Sequence, residues 1–403
     1  MLTRIQCLLC TLLIGLGASS TVAQTSLAEF QRVLREKAAF AETDFAALQH
    51  NQPVARLAPT SDKREIAVAG MVNVNAGADE FLRLYRDNMR RKSNAAILEI
   101  GSFGLQPALG DLDSLTLETG DIEDLKECVV GDCQVKLSAP MIERFRNEVD
   151  WDAADYQLKA TSLFRQMLLE YVQDYSTRGE AALIQYHDKR DRVSLANEQR
   201  ALSSASGYIN GFLANPNAGL QLLEEAIVWS KIKFGLKPVI AVNHIAIYKR
   251  LNEAGPQILI ASKQIYANHY FNASLALTAF VSVPEVTNGG YLVYENRSRA
   301  DGLEGPLGRL KRSAVEKKAL EGLRGILELS RASLDGSAWT STRAELSLSQ
   351  SGGWGHRLFG GVRPLLWLLL LSALIALLAL GRRRADNTTA PKSKALKPKS
   401  ANS

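Results

Sequence analysis

An uncharged apolar segment near the C-terminus constrains this chain more than any other feature. Residues 364–381 read PLLWLLLLSALIALLALG, 18 residues without a charged side chain, and Arg382, Arg383 and Arg384 follow directly. A helix of this length rises roughly 27 Å, close to the hydrocarbon core of a bilayer at about 30 Å. Lys and Arg residues are retained on the cytoplasmic side of a membrane. The pattern therefore predicts a transmembrane helix at 364–381 and a basic cytoplasmic tail at 382–403.

The N-terminal residues 1–23 have the pattern of a secretory signal peptide. Arg4 provides a positive start, an apolar stretch runs from Cys7 to Leu16, and small residues precede the expected cleavage after Ala23. The alternative is an uncleaved N-terminal anchor, for which the apolar stretch is short. We expect residues 24–334 to form an extracytoplasmic domain at the inner (cytoplasmic) membrane of a bacterial cell.

Two further observations concern the C-terminal region. Residues 335–363 are rich in Ser, Gly and Thr, which predicts a flexible stalk between the domain and the membrane. A second interpretation treats the apolar run and the Arg cluster as a cleavable sorting signal, and the length of the tail beyond Arg384 disfavours it. The single-pass topology remains the prediction.

The net charge excludes one class of function. The chain carries +6, and residues 382–403 alone account for that excess, because they hold seven Lys or Arg residues against one Asp. Residues 24–381 carry −1, so the ectodomain has no field that would attract phosphates. We therefore expect no nucleic-acid partner. The basic tail is suited to anionic lipid headgroups.

Two cysteines remain once residues 1–23 are set aside. Cys128 and Cys133 lie five residues apart in KECVVGDCQVKL, and a close pair in an exported protein favours a disulfide. A metal site would need further ligands, and no His lies within fifty residues on either side. A redox-active pair usually has the tighter C-x-x-C spacing. The structural disulfide is the prediction, with a metal-binding or reactive pair and free thiols as alternatives.

The hydrophobic periodicity predicts an α+β domain. Residues 26–51 and 76–89 have helical spacing, whereas 66–74, 97–103, 115–118 and 134–137 have the features of short strands. Residues 139–232 form a helical insertion in this prediction, which includes a helix at 219–229. From residue 238 to 299 four apolar strands follow in succession, as in an antiparallel meander. An amphipathic helix at 310–334 then carries Leu320, Leu323 and Leu327 on one face.

This order of elements resembles the helix-grip fold of the START-domain and polyketide-cyclase superfamily. The resemblance is carried by AVAGMVNVNAGADEFLRLYRD at 67–87 and by the segment 273–327, from ASLALTAFVSV through KRSAVEKKALEGLRGIL of the long helix. It implies a curved antiparallel sheet around one long C-terminal helix, with a cavity for a lipid or another apolar ligand. The insertion at 139–232 departs from the usual pattern of that superfamily.

Catalytic signatures are missing from the sequence. The chain has no G-x-S-x-G, H-E-x-x-H, Walker-type loop or G-x-G-x-x-G. The five His residues are scattered, and a metal site built on His244 and His269 has no nearby carboxylate in sequence. We therefore assign no catalytic residue, no metal and no cofactor; the sequence favours a protein that is not an enzyme and leaves an enzymatic function open as the alternative.

Polar residues inside the predicted meander are the candidates for a binding site. Alternation places Glu295, Arg297 and Arg299 on one face of their strand. One interpretation is a solvent-facing surface with cross-strand ion pairs such as Lys263 to Glu295. The other is a ligand cavity, in which the Arg side chains meet an anionic head group and the Tyr side chains its apolar body. The candidate ligand-binding residues are Tyr266, Tyr270, Leu277, Arg297 and Arg299.

Three functions remain compatible with the sequence. The first is a membrane-anchored binding protein that holds a lipid-like or other apolar ligand near the bilayer. The second is an interaction module that docks another envelope protein through the helical insertion. The third is a hydrolase or cyclase that uses the cavity. The missing motifs disfavour the third function.

Overall fold

The computed structural model describes residues 26–89, 96–207, 219–233, 237–250, 257–286, 289–303 and 308–335, which form an α+β fold. Its α-helices are α1 Leu27–Ala38, α2 Glu42–Gln49, α3 Ala78–Met89, α4 Thr119–Glu127, α5 Ala139–Glu148, α6 Tyr156–Arg178, α7 Leu195–Ala205 and α8 Gly308–Leu334. Its strands are β1 Val54–Leu57, β2 Glu65–Val74, β3 Ile97–Ser102, β4 Gln185–Tyr186, β5 Val193–Ser194, β6 Leu220–Ile232, β7 Val239–Arg250, β8 Ile258–Ala267, β9 Phe271–Val281 and β10 Gly290–Ala300.

The centre of the fold is an eight-stranded antiparallel sheet in the order β1-β2-β10-β9-β8-β7-β6-β3. The strands β6 to β10 form a meander, as the sequence predicts, and β10 then pairs with β2 from the start of the chain. Strands β4 and β5 form a separate two-stranded ribbon. The early strand β2 therefore lies beside the last strand, and only a tertiary contact can join them.

Helices cover one face of the sheet with a broad layer. Side chains Val242, Leu259, Leu275 and Leu277 belong to the same buried cluster as Phe164 of α6 and apolar residues of α1, α2, α4, α5 and α7. We call this side of the sheet the α6 face. Most of the predicted insertion at 139–232 packs here.

The opposite face packs against α3 and α8. Val68, Ile245, Ile260 and Ala276 share a second buried cluster with Leu323 and other apolar residues of α8, and with Phe81 and Tyr85 of α3. We call this side the α8 face. Because successive side chains of a strand alternate between faces, every strand of the meander contributes to both clusters. The sheet is therefore buried on both sides.

The contact between α8 and β2 is close. Leu323 and Leu327 are buried, as the helical pattern predicts, whereas Leu320 is only partly buried. A Cβ atom added at Gly70 would lie 2.7 Å from Leu327 Cδ1 and 2.9 Å from both Leu323 Cδ2 and the Val54 carbonyl oxygen. Glycine at position 70 is what allows α8 to approach the strand.

The single helix expected at 26–51 is two helices, α1 and α2, and three further predicted elements are wrong. Residues 219–229 were expected to be helical, and 220–232 form strand β6, which pairs with β7 along its length and with β3 at its end. Residues 115–118 and 134–137 were expected to be strands, and they lie outside the helices and strands. Helix α4, between these two segments, was not predicted. Pairing and packing across the sheet override weak local propensities here.

The predicted pair of cysteines is a disulfide. Cys128 and Cys133 are bonded, with their Cα atoms 4.5 Å apart. Within the loop, Gly131 has a positive φ of 89° and its N–H donates to the His187 carbonyl at 2.8 Å. Cys133 N–H donates to the Asp188 carbonyl at 2.9 Å. The bridge therefore fixes a small loop against the segment that joins β4 and β5.

The predicted signal peptide, the stalk beyond Asp335, the transmembrane helix and the tail lie outside the described residues. Among the residues that are described, none of the helices has the length and apolar character needed to span a bilayer.

Candidate functional site

The candidate residue Tyr266 is part of the core on the α6 face. Its ring lies between 6.2 and 6.4 Å from the rings of Phe164, Tyr171 and Tyr186, centroid to centroid. Its hydroxyl donates to the Lys136 carbonyl at 3.0 Å. Burial raises the pKa of Tyr266 far above its ordinary value. The ring and the hydroxyl of Tyr266 both contact other parts of this chain, and they join β8 to the helical layer.

Arg297 and Arg299 lie on the α6 face within a buried ion-pair network. Arg297 Nε donates to Glu295 at 2.8 Å, and its NH1 donates to Glu65 at 2.5 Å and to the Pro59 carbonyl at 3.2 Å. Arg299 NH1 donates to Glu198 of α7 at 3.1 Å. Both guanidinium groups already have carboxylate partners from this chain. These carboxylates take the place of the anionic head group that the sequence suggested.

The remaining two candidates lie apart. Leu277 is buried on the α6 face. Tyr270 occupies the turn between β8 and β9 with a positive φ of 59°, and it packs against the cluster of the α8 face. The structure therefore does not bring the five candidates together around one space, because Tyr270 is separated from the other four by the sheet.

The alternative expectation of a solvent-facing surface at Glu295, Arg297 and Arg299 is wrong. Glu295 is 2% exposed and Arg297 is 3% exposed, because α7 and the segment before β2 cover this end of the sheet. Lys263 pairs with Glu180 at 3.0 Å instead of with Glu295. The alternation itself is confirmed, since Tyr294 packs on the α8 face.

A second polar cluster joins the helical layer to the turn between β8 and β9. His269 Nε2 lies 3.0 Å from Asp121 of α4, and His269 Nδ1 lies 3.1 Å from the Gln134 carbonyl. Burial acts to raise the pKa of Asp121, but hydrogen bonds and charge attraction from His269 and Lys237 outweigh it and lower the pKa. The ring of His269 thus joins α4 to the segment that follows the disulfide loop.

A third group of ionisable side chains lies where α6 ends against β6, β7 and β8. The Tyr175 hydroxyl is 2.8 Å from His244 Nδ1, and His244 Nε2 is 3.4 Å from Glu225. The ammonium of Lys263 lies 5.8 Å from the centre of the Tyr175 ring. Burial lowers the pKa of His244, although Glu225 opposes the shift. The hydrogen bond between the phenol and the imidazole joins the end of α6 to β7.

These titratable groups do not form a metal site. Among the described residues, no group of three or more His, Cys, Asp and Glu side chains is placed to hold a metal ion. His244 and His269 have separate partners, Glu225 and Asp121. The Asp111 carboxylate accepts hydrogen bonds from the N–H groups of Gly104 and Ala108, and so stabilises a loop.

The α8 face carries buried polar residues that are not among the five predicted site residues. Residues two positions apart on a strand share a face. Asn243 is two positions from Ile245, Ser262 from Ile260, and Asn296 from Tyr294, so these polar side chains lie on the apolar α8 face. We call this set the polar strip, and each member is at most 4% exposed. Its residues are Ser230, Asn243, Ser262, Gln264, Ser274, Asn296 and Ser298.

Strand register places the polar strip across five neighbouring strands. Asn243 pairs with Gln264, and Ser274 pairs with Ser298. Because Lys263 pairs with Leu275, Gln264 and Ser274 occupy the next positions on their strands. Strands in a sheet lie about 4.8 Å apart, so neighbouring members of the strip are within reach of one small molecule.

The strip is satisfied at one end. On β9 and β10, Asn296 Nδ2 donates to Ser274 Oγ at 3.2 Å, and the Ser298 hydroxyl donates to Asn296 Oδ1 at 2.9 Å. The Ser274 and Ser298 hydroxyl oxygens are 2.8 Å apart. This half of the strip is a closed hydrogen-bond network.

The other end of the strip is open. Ser230 Oγ, Ser262 Oγ and Gln264 Nε2 are buried and have no hydrogen-bond partner in the part of the chain that the structure describes. Buried polar atoms are nearly always paired, and an unpaired one costs about 1–3 kcal/mol. Alanines at 241, 267 and 276 lie on the same face beside these atoms, and their short side chains project less from the sheet than larger apolar residues would. Such an arrangement suits a polar group that comes from outside the chain.

A signal for the strip exists in the sequence. Asn243, Ser262 and Gln264 interrupt strongly apolar strands at alternating positions, where a core strand would carry Val, Ile or Leu. Comparison of the chain with protein families, with characterised proteins and with experimentally determined structures gives no match.

Proposed function

We propose that this protein is a binding protein that holds an apolar ligand on the α8 face of its sheet. The observation that carries the proposal is the open end of the polar strip, where Ser230, Ser262 and Gln264 have buried, unpartnered polar atoms inside an apolar cluster. Ligand sites are mainly apolar, with a few polar groups that orient the bound molecule. The α8 face has this composition, because the polar strip lies among the apolar side chains of its cluster.

The order of the elements supports the same proposal. Strand β2 is followed by α3, the meander β6 to β10 returns to pair with β2, and the long helix α8 packs on the resulting face. This is the element order on which the resemblance to the START-domain and polyketide-cyclase superfamily rests. The ligand lies between the sheet and its helices in this proposal. Arg297, Arg299, Tyr266 and Leu277 contribute to the core of the opposite face.

The proposal retains the predicted location. In this proposal residues 24–334 lie outside the cytoplasm, and the apolar run 364–381 holds them at the inner membrane of the cell, beside a source of apolar ligands. Protease added outside that membrane should digest the ectodomain and spare the basic tail at 382–403. Digestion of the tail from outside would contradict this topology.

Two other functions have separate support. An interaction module for an envelope protein is compatible with the helical layer on the α6 face, and it needs no ligand. A hydrolase or cyclase would find acid–base groups in Tyr175, His244 and Glu225. That group lies on the α6 face, away from the polar strip, so the two features do not combine into one site.

The test is extraction of the full-length protein, purified in a mild detergent, followed by mass spectrometry of the extract. We expect one class of apolar molecule at close to one per chain. An Ala276→Leu variant places a larger side chain opposite Ser262 and should lose this molecule. Ala154→Leu makes the same change at an exposed turn and is the control. If all three proteins yield the same amount of lipid, no more than detergent alone carries, the interaction module is the better explanation.

A further inference from the structure

We infer that the ligand binds through an uncharged group that accepts hydrogen bonds, such as an amide, ester or ketone carbonyl or a hydroxyl. This inference rests on the proposed ligand site and states its chemistry. It concerns the open end of the polar strip at Ser262 and Gln264 on β8 and Ser230 on β6.

The polar strip carries no charge. None of its seven residues ionises, since all are Ser, Asn or Gln. The ionisable residues of the same strand segments alternate onto the α6 face, where His244 contacts Glu225, Lys263 pairs with Glu180, and Arg297 pairs with Glu65. In these strand segments the charges therefore lie on the face opposite the strip; on the α8 face, Glu224 of β6 is already paired with Arg86 of α3 at 2.7 Å.

Burial beside the strip makes an ionised ligand group costly. Ser230, Ser262 and Gln264 are at most 3% exposed, so a ligand group that reaches them leaves water completely. A buried ionised carboxylate, phosphate or ammonium needs an opposite charge, and without one the penalty is several kcal/mol or more. The strip provides no such charge. An ionised head group is excluded from this position by its desolvation.

The groups at the open end of the strip require a ligand group that accepts hydrogen bonds. Gln264 presents an N–H donor, and the two serine hydroxyls can donate as well as accept. Ser262 and Gln264 are two residues apart on one face of β8, roughly 7 Å along the strand. A carbonyl oxygen has two lone pairs and can accept from both neighbours at once. A group that only donates would leave Gln264 Nε2 unsatisfied.

The experiment uses the full-length protein in detergent and two photoreactive probes with the same chain. One probe is diazirine-bearing palmitamide and the other is diazirine-bearing palmitate, both at about pH 8, well above the ordinary pKa of a carboxyl group. Labelled peptides are identified by mass spectrometry. Ser262→Ala and Gln264→Leu remove the proposed donors. Ser313→Ala, on the exposed side of α8, is the matched control.

We expect palmitamide to label β6, β8 or the facing helices at least tenfold more than palmitate does. Each donor variant should lower the affinity for palmitamide by about fivefold, as for the loss of one hydrogen bond worth about 1 kcal/mol. The Ser313→Ala protein should behave as the unaltered chain.

The two ways of failing are distinct. Equal labelling by palmitate at the same peptides, unaffected by the donor variants, would overturn the uncharged head group and leave the binding function in place. Absence of saturable labelling by either probe, with the variants folded by circular dichroism, would overturn the binding function itself.

Discussion

The guanidinium of Arg297 on β10 donates to the carboxylate of Glu65 on β2 at 2.5 Å, and Glu65 has no exposed surface. The same guanidinium binds Glu295, two residues earlier on its own strand, at 2.8 Å. One arginine thus joins the first long strand of the sheet to the last. The two carboxylates that share it differ in their surroundings, and this difference can be measured.

We expect Glu65→Gln to destabilise the fold by about 3–5 kcal/mol, as for the loss of one partner from a buried ion pair. Glu65 faces both Arg297 and Arg299, so the change leaves two buried guanidinium groups with less compensating charge. Chemical denaturation of the full-length protein, followed by circular dichroism, measures the effect. A loss below about 1 kcal/mol, the size seen for surface pairs, would contradict the buried network.

The matched change is Glu295→Gln. Burial raises the pKa of Glu295, although Arg297 and Ser206 act in the opposite direction. Because the folded state holds the ionised form of Glu295 less favourably than water does, removal of this charge relieves a cost. Glu295→Gln should therefore be much less harmful than Glu65→Gln in the same denaturation assay. Equal losses for the two variants would show that the carboxylates are equivalent.

Asp301 predicts part of the response to acid. Burial acts to raise the pKa of its carboxyl group, but attraction to Lys136 and hydrogen bonds from Lys189 and Lys136 outweigh it and lower the pKa from 3.8 to about 2. A lowered pKa in the folded state gives stability that is complete above about pH 4 and is lost as the pH falls towards about 2. The shift corresponds to about 2 kcal/mol.

The measurement is the free energy of unfolding of Asp301→Asn as a function of pH. The variant should be less stable than the unaltered chain near neutral pH, and the difference should shrink as the pH falls below about 4. A difference that stays constant from neutral pH to about pH 2 would mean that the charge of Asp301 is not what stabilises the fold. Asp124 pairs with Lys237 at a different place, and Asp124→Asn is a control for a general effect of lost charge.

Two glycines test the packing of α8. Gly70→Ala places a methyl group 2.7 Å from Leu327 Cδ1 and 2.9 Å from the Val54 carbonyl oxygen, which cannot move without β1. We expect a loss of about 1–3 kcal/mol, typical of an overpacked core. Gly325→Ala, within α8, meets no atom within 4 Å and should gain about 0.5–1 kcal/mol from helix propensity. Thermal unfolding of both variants separates the two signs.

The disulfide is tested by alkylation of the non-reduced protein. Cys128 and Cys133 should both resist labelling until a reductant is added. Since the bridge closes a very short loop, a Cys128→Ser, Cys133→Ser double variant should lose little global stability. The exchange of the Gly131 and Cys133 amides, which donate to the carbonyls of His187 and Asp188, should become faster. Labelling of both thiols without reductant would disprove the bond.

The sequence predicted those elements that bury one regular face. The run at 66–74, the meander from 238 to 299 and the helix at 310–334 are present as β2, β7 to β10 and α8, since alternation or helical spacing persists over ten residues or more. Segment 219–229 has no such regularity, and its strand conformation comes from hydrogen bonds to β7 and β3. Local propensity alone favours the helix that was expected there.

Alternation also placed Glu295, Arg297 and Arg299 together on one face of β10, because the strand repeat is a local property. Whether that face meets solvent, a ligand or a helix depends on residues far away in the chain. Glu65, Glu198 and Ser206 close over it, between about ninety and two hundred and thirty positions distant. Charged residues in a strand do not reveal such partners.

The sequence by itself determined the alternation of side chains on each strand, the helical face of Leu323 and Leu327, and the pairing of Cys128 with Cys133, all of which depend on near neighbours. Only the tertiary structure decided which charges are paired, that Tyr270 is separated from Tyr266 by the sheet, and that Ser262 and Gln264 keep unpartnered atoms in an apolar cluster. The physical reason is that hydrogen bonds and ion pairs need donor and acceptor within about 3 Å, and long-range strand pairing sets those distances.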